Sequence, residues 1–327
     1  MTETEQHEGG LVLGAWRPEV HQALLDVINK YGINSEGYDP ARPPLVALDC
    51  DETLIHNDLG EAMMRFMITR RRLKTDRGFW YLIPDNLGRD AIQAAYKAVA
   101  GRADSEVRDT AAFRRYRAGM LNAYEWVREN EGLEAAYLFA ARMLRGLHER
   151  TVADLVVEVL DYELGRPLGQ EEVPPGPPFA GMVVPTGVRV YREMLNLIQM
   201  LKTYGFDTWI VTSSNAQIVR GLSKWLRLTE EGEPLIAEDH VLGIELTTQS
   251  GCYTDKPNEP IPAGEGKLEV FLDSAGRSPV LAIGDSMNDF EMLENCEGLA
   301  IVIDRGDEDL ADKADDMEWM LQPPLSV

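Results

Sequence analysis

Leu45-Val46-Ala47-Leu48-Asp49-Cys50-Asp51-Glu52-Thr53 is the stretch that decides the fold. Its first four residues are apolar, and a short apolar run of this kind predicts a buried strand. Two carboxylates, Asp49 and Asp51, follow at a spacing of two, and then a hydroxyl on Thr53. In an open α/β sheet, ligands bind beyond the carboxyl ends of the strands. The stretch therefore sets a nucleophile and a proton-transfer group where a substrate would sit.

Outward from this strand, the pattern changes twice. Residues 18–31 read as a helix that opens on Pro18, presents Val20, Leu24, Val27, Ile28 and Tyr31 on one face and ends at Gly32. Residues 1–10 read as disordered, and 39–44 as a linker into the strand. From 59 to 165 the pattern is helical, with candidate helices at 59–73, 89–100, 111–129, 133–147 and 151–164 and no strand between them. Residues 172–179, rich in proline, read as a stiff linker. Strand and helix then alternate. Helices are expected at 188–204, 216–225, 267–272 and 290–295, and strands at 207–211, 241–246, 280–283 and 299–303. Such alternation implies a parallel sheet covered on both faces. The expected class is α/β, a doubly wound, Rossmann-like parallel sheet interrupted by an all-helical insert of about a hundred residues. The corresponding boundaries are 1–57, 58–180 and 181–327.

Four polar segments fall at strand ends or helix starts. Asp49 and Asp51 follow the first strand, and Thr212-Ser213-Ser214-Asn215 follows Trp209-Ile210-Val211. Lys267 opens a helix after Gly264-Glu265-Gly266, and Gly284-Asp285-Ser286-Met287-Asn288-Asp289 follows Val280-Leu281-Ala282-Ile283. Strand ends of a parallel sheet converge on one edge, so these groups are expected to meet. Their chemistry fits phosphoryl transfer. A carboxylate can attack phosphorus and form an acyl-phosphate. A second can protonate the departing alcohol and then take a proton from water. Clustered carboxylates repel one another and need a cation, and magnesium suits oxygen ligands.

The order Asp-x-Asp-x-Thr, a hydroxyl after a second strand, a lysine, and Gly-Asp-x-x-x-Asp resembles the haloacid dehalogenase superfamily. The helical insert between the first two motifs is similar to the phosphoserine phosphatase branch, where such an insert caps the site. The resemblance implies Asp49 as nucleophile and Asp51 as general acid and base, its backbone carbonyl reaching the metal. It implies Thr212 and Lys267 as phosphoryl holders, Asp285 as a metal ligand and Asp289 as a ligand or support. Asp51 also favours a phosphatase, since dehalogenases of the superfamily lack a carboxylate there and its transport ATPases carry Thr. The expected cofactor is Mg2+, in a set of Asp49, Asp51, Asp285 and Asp289. The expected activity is hydrolysis of a small organic phosphomonoester of the phosphoserine class. Phosphocholine or phosphoethanolamine hydrolysis, transfer to an acceptor other than water, and a non-catalytic phosphate- or metal-binding module are the alternatives.

Plainer readings stand beside these. An EF-hand fails, because its sixth and twelfth positions would be Leu54 and Gly60 instead of Gly and Glu. Thr212 also reads as a helix N-cap, with Ser213 and Asn215 competing for its role. Lys256 competes with Lys267, and Asn288 reads either as a turn residue or as a phosphate contact. Arg65, Arg70, Arg71, Arg72, Lys74 and Arg77 read as a solvated helix face or as a lure for an anion. Trp80, Tyr81, Tyr124 and Trp126 read as insert core or as a cage for a quaternary ammonium.

The bulk numbers narrow the partners. A net charge of −23 argues against nucleic acid and anionic membranes. No apolar run approaches the roughly 20 residues of a membrane span, and the acidic, polar start has no signal-peptide pattern. Three cysteines, Cys50, Cys252 and Cys296, show no paired spacing. The expectation is a cytoplasmic enzyme whose partner is a small-molecule phosphate ester.

Overall fold

The computed structural model describes residues 10–227 and 232–327, and all but the last residue of the segment expected to be disordered, 1–10, lies outside them. The chain opens on α1 (Pro18–Tyr31), whose buried face is Val20, Leu24, Val27 and Ile28. The strand β1 (Leu45–Leu48) and the short β2 (Ile55–His56) follow. Then come the helices of the insert: α2 (Leu59–Thr69), α3 (Arg77–Trp80), α4 (Arg89–Val99), α5 (Asp104–Val107), α6 (Ala111–Glu131), α7 (Leu133–Ala141) and α8 (Glu149–Gly165). The antiparallel pair β3 (Gly169–Val173) and β4 (Met182–Thr186) leads to β5 (Arg189–Val190), α9 (Arg192–Thr203), β6 (Asp207–Asn215), α10 (Ala216–Trp225) and β7 (Val241–Ile244). A hairpin of β8 (Leu246–Gln249) and β9 (Cys252–Pro257) precedes α11 (Glu265–Ala275), β10 (Leu281–Gly284), α12 (Phe290–Glu294), β11 (Leu299–Ile303), α13 (Glu308–Asp316) and β12 (Met320–Gln322).

Six of the strands form one parallel sheet in the order β12-β11-β10-β1-β6-β7. β1 lies in the middle, in register with β10 through Ala47 and Ala282 and with β6 through Ala47 and Trp209. After β1 the chain builds outward through β6 and β7, then returns to the other side of β1 with β10 to β12. This reversal of strand order is where a doubly wound sheet opens a crevice. All four β1 residues are buried because helices cover both faces: Val46 and Leu48 join the large core, while Leu45 and Ala47 pack with Trp209, Val211, Phe271 and Met292.

The structure departs from the sequence expectations where pairing with distant residues overrides the local pattern. Residues 172–179 are not a free linker: the prolines form the tip between β3 and β4. Those strands lack an alternating apolar pattern because much of their surface is exposed. The expected helix at 188–204 begins only at Arg192, because Arg189 and Val190 extend to pair with His56 and Ile55. The expected strand at 241–246 breaks between β7 in the main sheet and β8 in a hairpin. The strand expected to end at Val211 runs on to Asn215, so Thr212, Ser213 and Ser214 are strand residues. Asn215 is the N-cap of α10, its side chain accepting from the Gln217 amide at 3.0 Å.

Candidate active site

Asp49 continues β1 by one residue, its amide donating to the Ile283 carbonyl at 2.9 Å, and its carboxylate leaves the sheet edge almost wholly buried. Cys50 turns into the core. The chain then folds back, with the amides of Leu54 and Ile55 both donating to the Cys50 carbonyl and Glu52 at a φ of 61°. This turn aims Asp51 at the insert. The Leu59 amide, at the start of α2, donates to Asp51 Oδ1 at 2.7 Å. Ser214 Oγ donates to Asp51 Oδ2 at 2.6 Å, and Thr212 Oγ1 lies 3.4 Å from the same oxygen. Thr212 and Ser214, two apart on β6, share a strand face, which is why both reach Asp51.

Ser213 points to the opposite face and does different work. Its hydroxyl donates to the Pro262 carbonyl at 2.7 Å and accepts from Asn288 Nδ2 at 2.6 Å. Asn288 Oδ1 in turn accepts from the Gly264 amide at 2.7 Å. The two residues brace the loop that launches α11 and so set the position of Lys267. Lys267 is 1% exposed, with Nζ 2.5 Å from Asp49 Oδ1 and 2.6 Å from Asp289 Oδ1. Lys256, the competing lysine, is exposed on β9.

Asp289 closes the turn after β10. Its Oδ2 accepts from the amides of Asp285 and Ser286 and from Ser286 Oγ, each at 3.1 Å. Glycine is required at 284, since a Cβ there would lie 2.5 Å from Asp289 Cβ. Carboxylate oxygens of Asp49, Asp285 and Asp289 fall within 4.8 Å of one another. The Asp51 carboxylate stands outside this group, held by Ser214 and Leu59.

The electrostatics follow from burial. Burial pushes the Asp49 carboxyl up to about 7 against the pull of Lys267, and Asp289 and Asp51 add to the push. Burial and the charges of Asp49 and Asp289 raise Asp285 to about 9. Burial also raises Asp51, outweighing its hydrogen bond from Ser214. Burial would lower Lys267, but the Asp289 and Asp49 carboxylates override it and keep the ammonium charged. Three gathered carboxylates thus face one lysine, a donor set of hard oxygens with an excess of negative charge. A divalent cation such as magnesium fits both features.

The insert contributes groups that the sequence reading did not single out. Asp58 caps α2, accepting from the Glu61 amide at 2.7 Å, and its carboxyl is raised by burial and by neighbouring Asp51 and Glu61. Glu61 accepts from Tyr124 Oη and from Arg65 Nη1, both at 2.6 Å. The available signal was Asp-x-x-Glu before an apolar helix, a capping pattern. Gly60 lets α2 approach β6, since a Cβ there would lie 2.4 Å from Ser214 Oγ.

The basic cluster is largely neutralised within the insert. Arg65 pairs with Glu61, Arg70 and Arg71 with Asp104, and Arg72 with Glu158. No two of the four aromatic residues pair with each other: Trp80 packs on Phe79 and Tyr96, Tyr124 lies near Phe139, Trp126 packs half-buried against the large core, and Tyr81 is exposed.

The family profile for haloacid dehalogenase-like hydrolases matches residues 131–294, half of the chain. A conserved, functionally unknown protein from Anaerococcus prevotii DSM 20548 has a similar structure, with a TM-score of 0.82 at 24% identity over 95% of this chain and 93% of that one. A protein of unknown function from Bordetella pertussis Tohama I is similar at a TM-score of 0.54 and 16% identity, over 85% of this chain and 96% of that one. Both likenesses concern the fold. No curated protein matches the chain in sequence.

Proposed function

The chain belongs to the haloacid dehalogenase-like hydrolases, and we propose that within them it is a magnesium-dependent phosphatase of a small phosphomonoester. The observation that carries this reading is the separation of two kinds of carboxylate at one sheet edge. Asp49, Asp285 and Asp289 gather around Lys267, while Asp51 is held two residues away by its own donors.

Asp49 is the nucleophile. Its oxygen forms a bond to phosphorus as the bond to the alcohol oxygen breaks, leaving an aspartyl-phosphate. Asp51, whose raised carboxyl can carry a proton, gives it to the leaving oxygen. The resulting carboxylate takes a proton from water as that water attacks phosphorus. The Asp49–phosphorus bond breaks and inorganic phosphate leaves. Thr212 and Lys267 hold phosphoryl oxygens, and Ser213 and Asn288 position the lysine loop. Asp49, Asp285, Asp289 and the Asp51 backbone carbonyl would hold magnesium, which when bound offsets charge on the transferring group.

Residues 58–180 form the cap in this reading, between core segments 1–57 and 181–327, and exclude bulk water. Asp58, whose raised carboxyl can offer a hydrogen bond, and Glu61 lie beside Asp51 and favour a small polar alcohol, as in phosphoserine or phosphoethanolamine. The scattered aromatics give phosphocholine no cage. Free Cys50, Cys252 and Cys296 fit a reducing, cytoplasmic setting, and no helix among the described residues is long and apolar enough to cross a membrane.

The test is a release assay for inorganic phosphate over phosphoserine, phosphoethanolamine, phosphocholine and sugar phosphates. Turnover is expected with magnesium and not with EDTA, and Asp49→Asn is expected to be folded and inactive. Normal turnover by Asp49→Asn, or phosphate release from none of the four, would refute the assignment.

A further inference from the structure

Away from the sheet edge, the insert and the β3–β4 pair enclose a cavity of about 420 Å3, a size suited to a small ligand. In a chain of net charge −23, five arginines line it: Arg70, Arg108, Arg114, Arg117 and Arg166. Their donors outnumber the acceptors offered. Glu171 is shared by Arg117 and Arg166, at 2.7 and 2.8 Å, and Asp104 by Arg70 and Arg71. Arg114 donates to the Asp109 carbonyl at 2.8 Å and Arg108 is exposed, both without a carboxylate partner among the described residues, and the Arg117 Nε is buried without an acceptor. Asp109 and Glu172, the remaining acidic residues of the lining, are exposed. The Tyr162 ring is flanked by the Arg70 and Arg166 guanidiniums at 5.5 and 5.4 Å, which holds both side chains in place.

We propose that this cavity is a second site, which binds a small, multiply charged organic anion, phosphorylated or polycarboxylic, and signals to Asp51. Arg70, Arg117 and Arg166 are held by their carboxylate and ring contacts, and guanidinium groups suit the forked oxygens of phosphate and carboxylate alike. The route to the active site is short. Thr69 and Arg70 line the cavity at the end of α2, and the first amide of the same helix, that of Leu59, holds Asp51 Oδ1. This helix is only about 16 Å long. A second route starts at Arg166, which lies 3.8 Å from buried Glu163. Glu163 Oε2 accepts from the Gly187 amide at 3.1 Å, and the Gly187 carbonyl accepts from Asn57 next to β2.

The experiment titrates full-length protein with pyrophosphate and with citrate in EDTA, and the Asp49→Asn variant separates this cavity from the sheet edge, where a probe held beside Lys267 would bind differently once Asp49 is changed. Saturable binding at one site is expected, unchanged in Asp49→Asn and weakened at least about tenfold in Arg108→Gln/Arg114→Gln. Which of the two probes binds more tightly tells the phosphorylated source from the polycarboxylic one. Hydrogen exchange at the Leu59 amide is expected to change on binding in the wild type and not in the double variant. Absence of saturable binding by both probes, or equal binding by the double variant, overturns the site. Binding with no change at Leu59 overturns the coupling.

Discussion

Lys267 and Asp49 stand 218 residues apart in the chain and meet with 2.5 Å between Nζ and Oδ1. The lysine also reaches Asp289, so a single buried cation ties β1, β10 and α11 together at the sheet edge.

Replacing Lys267 by Met leaves Asp49 and Asp289 buried without their counter-charge. Breaking a buried pair from one side costs about 3–5 kcal/mol. Lys267→Met is expected to be less stable by that margin in EDTA and, on the proposed magnesium site, to regain part of it with magnesium, since a ligand of the folded form alone stabilises it. Turnover is expected to fall by at least about a hundredfold. Wild-type melting in EDTA would show that the contact does not matter.

Ser214 supplies one of the two short hydrogen bonds to Asp51, the other coming from the Leu59 amide. Ser214→Ala is expected to fold normally and to lose about tenfold in kcat, since a hydrogen bond to a charged group contributes about 1.5 kcal/mol. Unchanged kcat would remove Ser214 from the account of Asp51.

Gly60→Ala drives a methyl group against Ser214. Overpacking of this kind costs about 1–3 kcal/mol, and it pushes the Leu59 amide away from Asp51. Adding Ser214→Gly clears the obstruction, so the double variant is expected to regain stability in urea melts without regaining turnover. If Gly60→Ala alone is as stable and active as the wild type, α2 does not depend on this close approach.

His240 offers a pH test away from the site. Its ring stacks on Trp209 with centroids 4.1 Å apart, and Nδ1 lies 3.0 Å from Asp207 Oδ1. The hydrogen bond to Asp207 raises the His240 pKa, against a lowering by burial. Burial would raise Asp207, but the hydrogen bond and charge of His240 hold it below the usual carboxylate range. A raised histidine stabilises fully below its unfolded pKa of about 6.5, and this is lost as pH rises through the folded value. A depressed aspartate stabilises above its unfolded pKa of about 3.9, and this is lost as pH falls through the folded value. The deficit of His240→Ala in urea melts is therefore expected to be largest at about pH 5–6 and to shrink towards about pH 9, leaving the stacking term. A deficit independent of pH would assign the whole effect to stacking.

Some elements were legible because their signals are local. α1, β1, α10 and β11 lie where apolar periodicity and end residues put them, and Asp49, Asp285 and Asp289 follow from motifs at strand ends. The gathering of these groups followed from a general rule, that parallel strands end on one edge. The sequence could also narrow the lysine to two positions and the β6 hydroxyl to a few neighbours.

What decided among them was tertiary structure. Lys267 and not Lys256 is buried, because Ser213 and Asn288 brace its loop from two other segments. Ser214 and not Thr212 makes the short bond to Asp51, since strand β6 continues past Val211 once β7 pairs with it. Asp58 and Glu61 enter the site only because Gly60 lets α2 lie against β6. The β3–β4 pair is stabilised by its own partner strand, with little apolar pattern to announce it. Periodicity within a segment reports which face that segment buries. It carries no record of which distant residue completes a hydrogen bond or a charge pair, and the chemistry here depends on those completions.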